Sequence, residues 1–116
     1  MNDILIPFDE LVSTLRQVLL KFGFEESLAN RCAKLFAKAD LDGVRSHGVN
    51  RFPLFLEFIE KGYVKPENSP TLLSEIVLFE RWDGNLGPGN LNAHFAMDRA
   101  ITLAAEFGIG CVSLAH

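Results

Sequence analysis

The sequence predicts a helix-rich α/β fold in which a helical hairpin and a third helix precede a strand–helix–strand unit. Three observations support this fold class. Apolar residues recur at helical spacing through the first half of the chain, β-rich apolar runs occur in the second half, and a long helical segment separates those runs. Because strands joined by a crossover helix usually pair in parallel, we expect the start of a mixed sheet with one parallel pair.

The first half of the chain carries signals for three helices. Pro7 and Gly23 bound the first apolar stripe, and a second helix is predicted from about residue 25 to residue 39. The short link between them predicts an antiparallel hairpin. Proline is tolerated in the first turn of a helix, so Asn50 as N-cap would place Pro53 correctly in a third helix. The segment before Asn50 is then a loop.

The second half predicts a strand, a glycine-rich turn, a helix and a second strand. The β-rich segment centres on residues 76–79, the helix covers about residues 90–107, and the last strand covers residues 109–114. We expect residues 76–79 to pair in parallel with residues 111–114, and the helix to turn its apolar positions inward, at Leu91, Met97, Ile101 and Ala104.

Two regions follow from this order of elements. Residues 1–70 form a helical region, and residues 71–116 begin an α/β domain. A parallel strand normally has both faces covered, and nothing follows the last strand to cover it. The chain is therefore expected to be truncated, as the first part of a larger protein.

Composition excludes several classes of function. The net charge is −4 without a basic stripe, which argues against nucleic acid or an anionic membrane as a partner. No apolar run is long enough to cross a bilayer, and the start lacks the features of a signal peptide, so the cytoplasm is expected. Cys32 and Cys111 have no metal-like spacing, so we expect two buried free thiols and no metal.

The hexapeptide at residues 46–51 holds the candidate site residues. His47 can transfer a proton, Arg51 can hold a carboxylate, and Ser46 lies beside the imidazole. A helix start follows, where unpaired amides attract anions. These residue types suit an enzyme that acts on a small carboxylic acid. On the residues alone, an exposed loop whose His47 and Arg51 make surface polar contacts remains an equal alternative.

Other polar groups are weaker candidates. The turn at residues 83–89 leads into a helix and could cradle a phosphate, but it lacks the G-x-G-x-x-G spacing, and Pro88 has no amide to donate. A structural turn is favoured. His94 has no partner at ligand spacing, and Asp40 and Asp42 are expected to be solvated at the end of the second helix.

Residues 43–53, Gly-Val-Arg-Ser-His-Gly-Val-Asn-Arg-Phe-Pro, resemble a motif of the malate/L-lactate dehydrogenase type 2 family, which differs from the Rossmann lactate dehydrogenases. The resemblance continues in register at Trp82-Asp83-Gly84, at Met97-Asp98-Arg99-Ala100 and at Gly108-Ile109-Gly110. It covers essentially the whole chain, as about the first third of the family's length.

The resemblance implies hydride exchange between NAD or NADP and a 2-hydroxy acid or its 2-keto acid, on a sugar-derived substrate, in a homodimer. It implies that His47 donates a proton to the carbonyl oxygen, with Ser46 as its hydrogen-bonded relay, and that Arg51 binds the carboxylate. The family's cofactor elements lie beyond residue 116, and the role of its second histidine is not transferred to His116. The alternative is a small non-enzymatic interaction module whose exposed strand edge docks a partner.

Overall fold

The computed structural model describes residues 3–116, so Met1 and Asn2 of the predicted first domain lie outside the described residues. The chain divides into two compact units, one that runs to Lys61 and one from Gly62 to His116. The predicted domain division at residue 70 stays a prediction. None of the helices in the described part of the chain combines the length and apolarity needed to span a membrane.

The first unit is built on an antiparallel helical hairpin. Helix α1 spans Phe8–Lys21 and helix α2 spans Glu26–Leu41. The side of α2 that is buried is rich in small residues, because its buried positions are Ala29, Cys32, Ala33, Phe36 and Ala37. Alanine side chains let two helices approach closely. The predicted hairpin is thus confirmed, with the buried face of α2 centred on alanines more than on its leucines.

Helix α3 spans Phe52–Glu60, and Pro53 lies in its first turn as predicted. Arg51 is its N-cap, so the helix starts one position later than Asn50 as N-cap would place it. Aromatic contacts attach α3 to the hairpin, with the Phe36 ring 5.2 Å from Phe52 and 5.1 Å from Phe55 between centroids. Edge-to-face and tilted geometry of this kind adds to the free energy of apolar burial.

The second unit contains a three-stranded mixed sheet in the order β1-β2-β3. The strands are β1 (Thr71–Ile76), β2 (Phe79–Asp83) and β3 (Cys111–Ala115). Strands β1 and β2 are antiparallel, whereas β2 and β3 are parallel, with Phe79 opposite Cys111. The parallel pair was predicted, but its first strand is displaced toward the C-terminus. A tight turn with Val77 at φ +50° splits the apolar run into a hairpin.

Helix α4 spans Gly89–Phe107 and crosses between β2 and β3. Leu91 is buried as predicted. The prediction that Met97 and Ile101 also face inward was wrong, since these side chains are 61% and 60% exposed, and Leu103 is buried instead. Apolar residues occur on more than one face of α4, so their spacing did not decide which face is covered. Cys111 was also predicted to be buried and is exposed, whereas Cys32 is buried.

A buried carboxylate ties β2 to α4. Glu80 is 4% exposed, and its Oε2 accepts hydrogen bonds from the Trp82 indole at 2.8 Å and from Arg99 Nε at 3.0 Å. Arg99 Nη2 donates to the other oxygen. Hydrogen bonding from Arg99 lowers the pKa of Glu80, although burial opposes this shift. A buried carboxylate is tolerated here because the guanidinium forks onto both of its oxygens.

The Glu80 carboxylate should make stability depend on pH. A group whose folded-state pKa is lowered stabilises the fold above its unfolded pKa, and that contribution is lost as the pH falls through the folded value. Glu80→Gln should therefore cost about 2 kcal/mol at pH 7, and less at pH 3. Urea unfolding across this pH range measures the difference. Glu106→Gln, at an exposed position on α4, is the matched control, and an undiminished difference at pH 3 would contradict this account.

Candidate active site

The candidate site is a short connection between α2 and α3. A single 3₁₀ turn, Arg45–His47, carries the serine and the histidine, and Arg51 caps the following helix. The connection is held in part by its own backbone, because the His47 amide donates to the Val44 carbonyl at 3.1 Å and the Arg51 amide donates to the Gly48 carbonyl at 2.9 Å. His47 is therefore in a structured turn, and four residues separate it from the start of α3.

The structure brings Ser46 and His47 into direct contact. Ser46 Oγ lies 2.8 Å from His47 Nδ1, and both residues are exposed. Since the hydroxyl engages Nδ1, the other ring nitrogen, Nε2, remains available for a bound molecule. A ring oriented in this way can exchange a proton through Nε2 while the hydroxyl accepts from or donates to Nδ1.

Arg51 is exposed, and within residues 3–116 its side chain forms no ion pair with a carboxylate. It has no hydrogen bond to Ser46 or His47 in this described part of the chain. The structure therefore brings two of the three candidate residues together and leaves the guanidinium four residues further on. A guanidinium without a protein carboxylate can accept one from a ligand in a bidentate arrangement.

Three backbone amides around the start of α3 already have partners within the chain, so these three are not free to attract an anion. The Arg51 amide bonds the Gly48 carbonyl, and the Phe52 amide bonds the Val49 carbonyl at 3.2 Å. The Val49 amide donates to Asp40 Oδ2 at 2.7 Å. A substrate carboxylate at this site would therefore depend on the side chain of Arg51 and not on these amides.

Asp40 is the polar residue that sequence reasoning missed. It was expected to be solvated, and instead its carboxylate holds the loop through the Val49 amide. Asp42 does behave as a surface residue and pairs with Lys38 at 2.6 Å. Nothing in the periodicity of the sequence separates these two aspartates. A signal lies in Gly48, since a glycine next to a candidate catalytic residue is typical of close approach by another group.

The glycine-rich turn at residues 83–89 does not fit a phosphate. Its four successive amides all donate within the unit, from Gly84 to Ala115 O, from Asn85 to Asp83 Oδ1, from Leu86 to His116 O and from Gly87 to Gly84 O. Pro88 adds no donor. The turn is structural, as favoured from the sequence, and its amides at residues 84–87 form no cradle for a phosphate.

The remaining histidines make surface contacts. His94 Nδ1 lies 3.3 Å from Asp98 on the same helix, and His116 Nδ1 lies 3.3 Å from Asp83. The Asn85 amide is the main cause of a lowered pKa at Asp83, and His116 contributes less. No group of three or more potential ligands converges to hold a metal ion among the residues that the structure describes.

Solved structures with the same fold include several dehydrogenases. Malate dehydrogenase from Pyrococcus horikoshii OT3 matches with a TM-score of 0.89 at 34% identity, over 97% of this chain and 33% of that protein. Sulfolactate dehydrogenase from Methanocaldococcus jannaschii matches with a TM-score of 0.90 at 32% identity, over 96% of this chain and 32% of that protein. The helix-rich α/β fold class is confirmed.

The family follows from the sequence match. A family profile described as malate/L-lactate dehydrogenase matches residues 6–116, so the chain belongs to the malate/L-lactate dehydrogenase family. The resemblance stated from the motif at residues 43–53 is thereby confirmed.

Curated relatives include 2,3-diketo-L-gulonate reductases. The protein of that name from Escherichia coli O139:H28 (strain E24377A / ETEC) is 42% identical over 109 residues, which are 94% of this chain and 33% of the reductase. The one from Escherichia coli strain K12 / DH10B is 41% identical over the same shares. The chain thus spans about a third of the length of the curated relatives it matches.

The contact between Ser46 and His47 should fix the tautomer of the imidazole. Replacing the hydroxyl in Ser46→Ala removes the partner of Nδ1, so the tautomer ratio of His47 should move toward that of a free histidine peptide. Nitrogen-15 NMR of the ring measures this ratio. His94 serves as an internal control and should keep its shifts, whereas identical His47 ring shifts in both proteins would show that the hydroxyl has no such effect.

Proposed function

We propose that this chain is the N-terminal part of an NAD(P)-dependent oxidoreductase that exchanges hydride between a 2-hydroxy acid and its 2-keto acid. The observation that carries the proposal is the Ser46–His47 contact, with an exposed Arg51 four positions after His47, in a chain that matches the family profile over residues 6–116. Since the chain covers about a third of its relatives' length, the activity is proposed for the complete protein.

His47 and Arg51 would divide the work on the substrate. The guanidinium of Arg51 would hold the carboxylate of the keto acid, which places the adjacent carbonyl at a set distance. Nε2 of His47 would donate a proton to the carbonyl oxygen during reduction and take it back during oxidation. Ser46 would keep the ring oriented through Nδ1. Its hydroxyl would donate to Nδ1 when that nitrogen is bare and accept from it when it is protonated.

The cofactor and the assembly are parts of the same proposal. NAD or NADP is implied by the family, and its phosphates would bind at a place other than the amides of residues 84–87, because these amides already donate within the unit. In this proposal His47 supplies the proton and Arg51 binds the carboxylate, whereas the hydride comes from the cofactor. We propose a homodimer in the cytoplasm, without a resident metal.

A sugar-derived acid is the proposed substrate class. Support comes from the curated relatives, which are named 2,3-diketo-L-gulonate reductases. The test is oxidation of NADH or NADPH by the complete protein with 2,3-diketo-L-gulonate, in parallel with pyruvate, oxaloacetate and 3-sulfopyruvate. Faster turnover of the sugar acid supports the proposal, and equal or faster turnover of a smaller acid would assign a different substrate. No turnover with any of these acids would favour the non-enzymatic module.

Removing the guanidinium should weaken binding of the substrate. Arg51→Ala should raise KM for the keto acid by about 100-fold, since a charge-assisted bidentate contact contributes about 3 kcal/mol. Steady-state kinetics measures this change, with KM for the cofactor as a reference. Arg45→Ala, at an exposed arginine in the same connection, is the control. An unaltered KM in Arg51→Ala would remove Arg51 from the substrate site.

Removing the imidazole should slow the chemical step. His47→Ala should lower kcat by about 100-fold to 10,000-fold, the range expected for loss of a general acid, with a smaller change in KM. His94→Ala, which removes an exposed histidine of α4, should keep normal kcat. Near-normal turnover of His47→Ala would end the catalytic role proposed for this residue.

A further inference from the structure

One contact in the candidate site has no role in the chemistry proposed so far. Asp40 lies at the end of α2, and its carboxylate reaches nine positions along the chain to Val49, whose amide donates to Oδ2 at 2.7 Å. The backbone of Asp40 is also fixed, because its carbonyl accepts from the Gly43 amide at 3.0 Å. The backbone that carries this carboxylate is thus held in place at the end of α2.

The carboxylate also fills the space beside Gly48. A Cβ atom built on this glycine would lie 2.1 Å from Asp40 Oδ1 and 2.2 Å from Asp40 Cγ. These separations are far shorter than any van der Waals contact, and Gly48 is buried. The residue after His47 must therefore be glycine as long as this carboxylate keeps its place.

The held peptide lies between the two groups that would meet the substrate. Gly48 follows His47 directly, and its carbonyl accepts the amide of Arg51 at 2.9 Å. A carboxylate that fixes the Gly48–Val49 peptide therefore limits the directions in which the imidazole of His47 can leave the backbone. Small displacements of catalytic groups have large effects, since an error of about 1 Å can cost about 100-fold in rate.

We propose that Asp40 is a positioning residue, which fixes the turn that presents His47 to the substrate through the Val49 amide and the Gly48 backbone. The inference rests on the proposed function of this site. It assigns no contact between Asp40 and the substrate. In this proposal Gly48 and Asp40 depend on each other, because a side chain at position 48 would push the carboxylate away from the Val49 amide.

The positioning role of Asp40 and its dependence on Gly48 can be tested by steady-state kinetics of the complete protein with Asp40→Ala, Gly48→Ala and the double variant. Each single change should lower kcat by about tenfold or more, with KM for the cofactor unchanged. The double variant should be no slower than Asp40→Ala, because an alanine at position 40 leaves no carboxylate for the new Cβ to meet. Asp42→Ala, which removes the neighbouring surface carboxylate, is the matched control. Wild-type kcat in Asp40→Ala, or multiplied losses in the double variant, would overturn the proposal.

Two further measurements separate positioning from a general loss of folded protein. Asp40→Asn keeps an oxygen that can accept the Val49 amide, so it should recover most of the kcat lost in Asp40→Ala. In a His47→Ala background, Asp40→Ala should cause no further loss of kcat, since it acts through that imidazole. A further loss of kcat in the His47→Ala background, or an Asp40→Asn variant as slow as Asp40→Ala, would contradict the positioning role of Asp40.

The outcome for Asp40 is distinguishable from the outcome for the proposed function. If the wild-type protein turns over a 2-keto acid and the Asp40 and Gly48 variants do so equally well, the positioning role fails alone. If the wild-type protein oxidises neither NADH nor NADPH with any 2-keto acid, the proposed function fails and the role of Asp40 in it fails as well.

Discussion

Irregular segments in this chain are held in part by side chains that pair with their backbone amides and carbonyls. Backbone groups removed from water must be paired, and loops have no ladder of their own to pair them. In the first unit Asp40 provides this partner for the connection between α2 and α3. In the second unit the Asn92 side chain donates to Gly84 O at 3.0 Å, and the Asn68 side chain donates to Asn85 O at 2.8 Å. The candidate site depends on this pairing, since its residues lie on such a segment.

Much of the fold could be predicted because it follows from local rules. The hairpin of α1 and α2 was predicted by the spacing of apolar residues and by Pro7 and Gly23, which mark the start and the end of α1. The first turn of α3 followed from what proline permits, and the crossover helix implied a parallel pair. The displaced strand shows the limit of such rules. An apolar run has no internal mark for a turn when that turn is made by Val77, a residue type that rarely adopts positive φ.

The candidate site was predictable only in part, for a related reason. Residue types and a motif identified Ser46, His47 and Arg51, whereas the role of Asp40 depends on a contact made by folding and not on spacing. The buried Glu80 is a similar case, since a charged residue in a strand is normally expected to face water. Its partner Arg99 lies on α4, and sequence separation gives no indication of the pairing. Burial of charge becomes intelligible only when both partners are located.

The order of strands in the second unit has a consequence for folding kinetics. Strands β1 and β2 adjoin in sequence and are joined by a tight turn, so their pairing closes a small loop. Strand β3 reaches β2 only after all of α4 has been placed between them, and the entropy cost of closing a loop rises with its length. The antiparallel hairpin should therefore form early, and the parallel pair should form late. The Glu80–Arg99 contact favours this late pairing of β3, because it fixes α4 on β2, the strand with which β3 pairs.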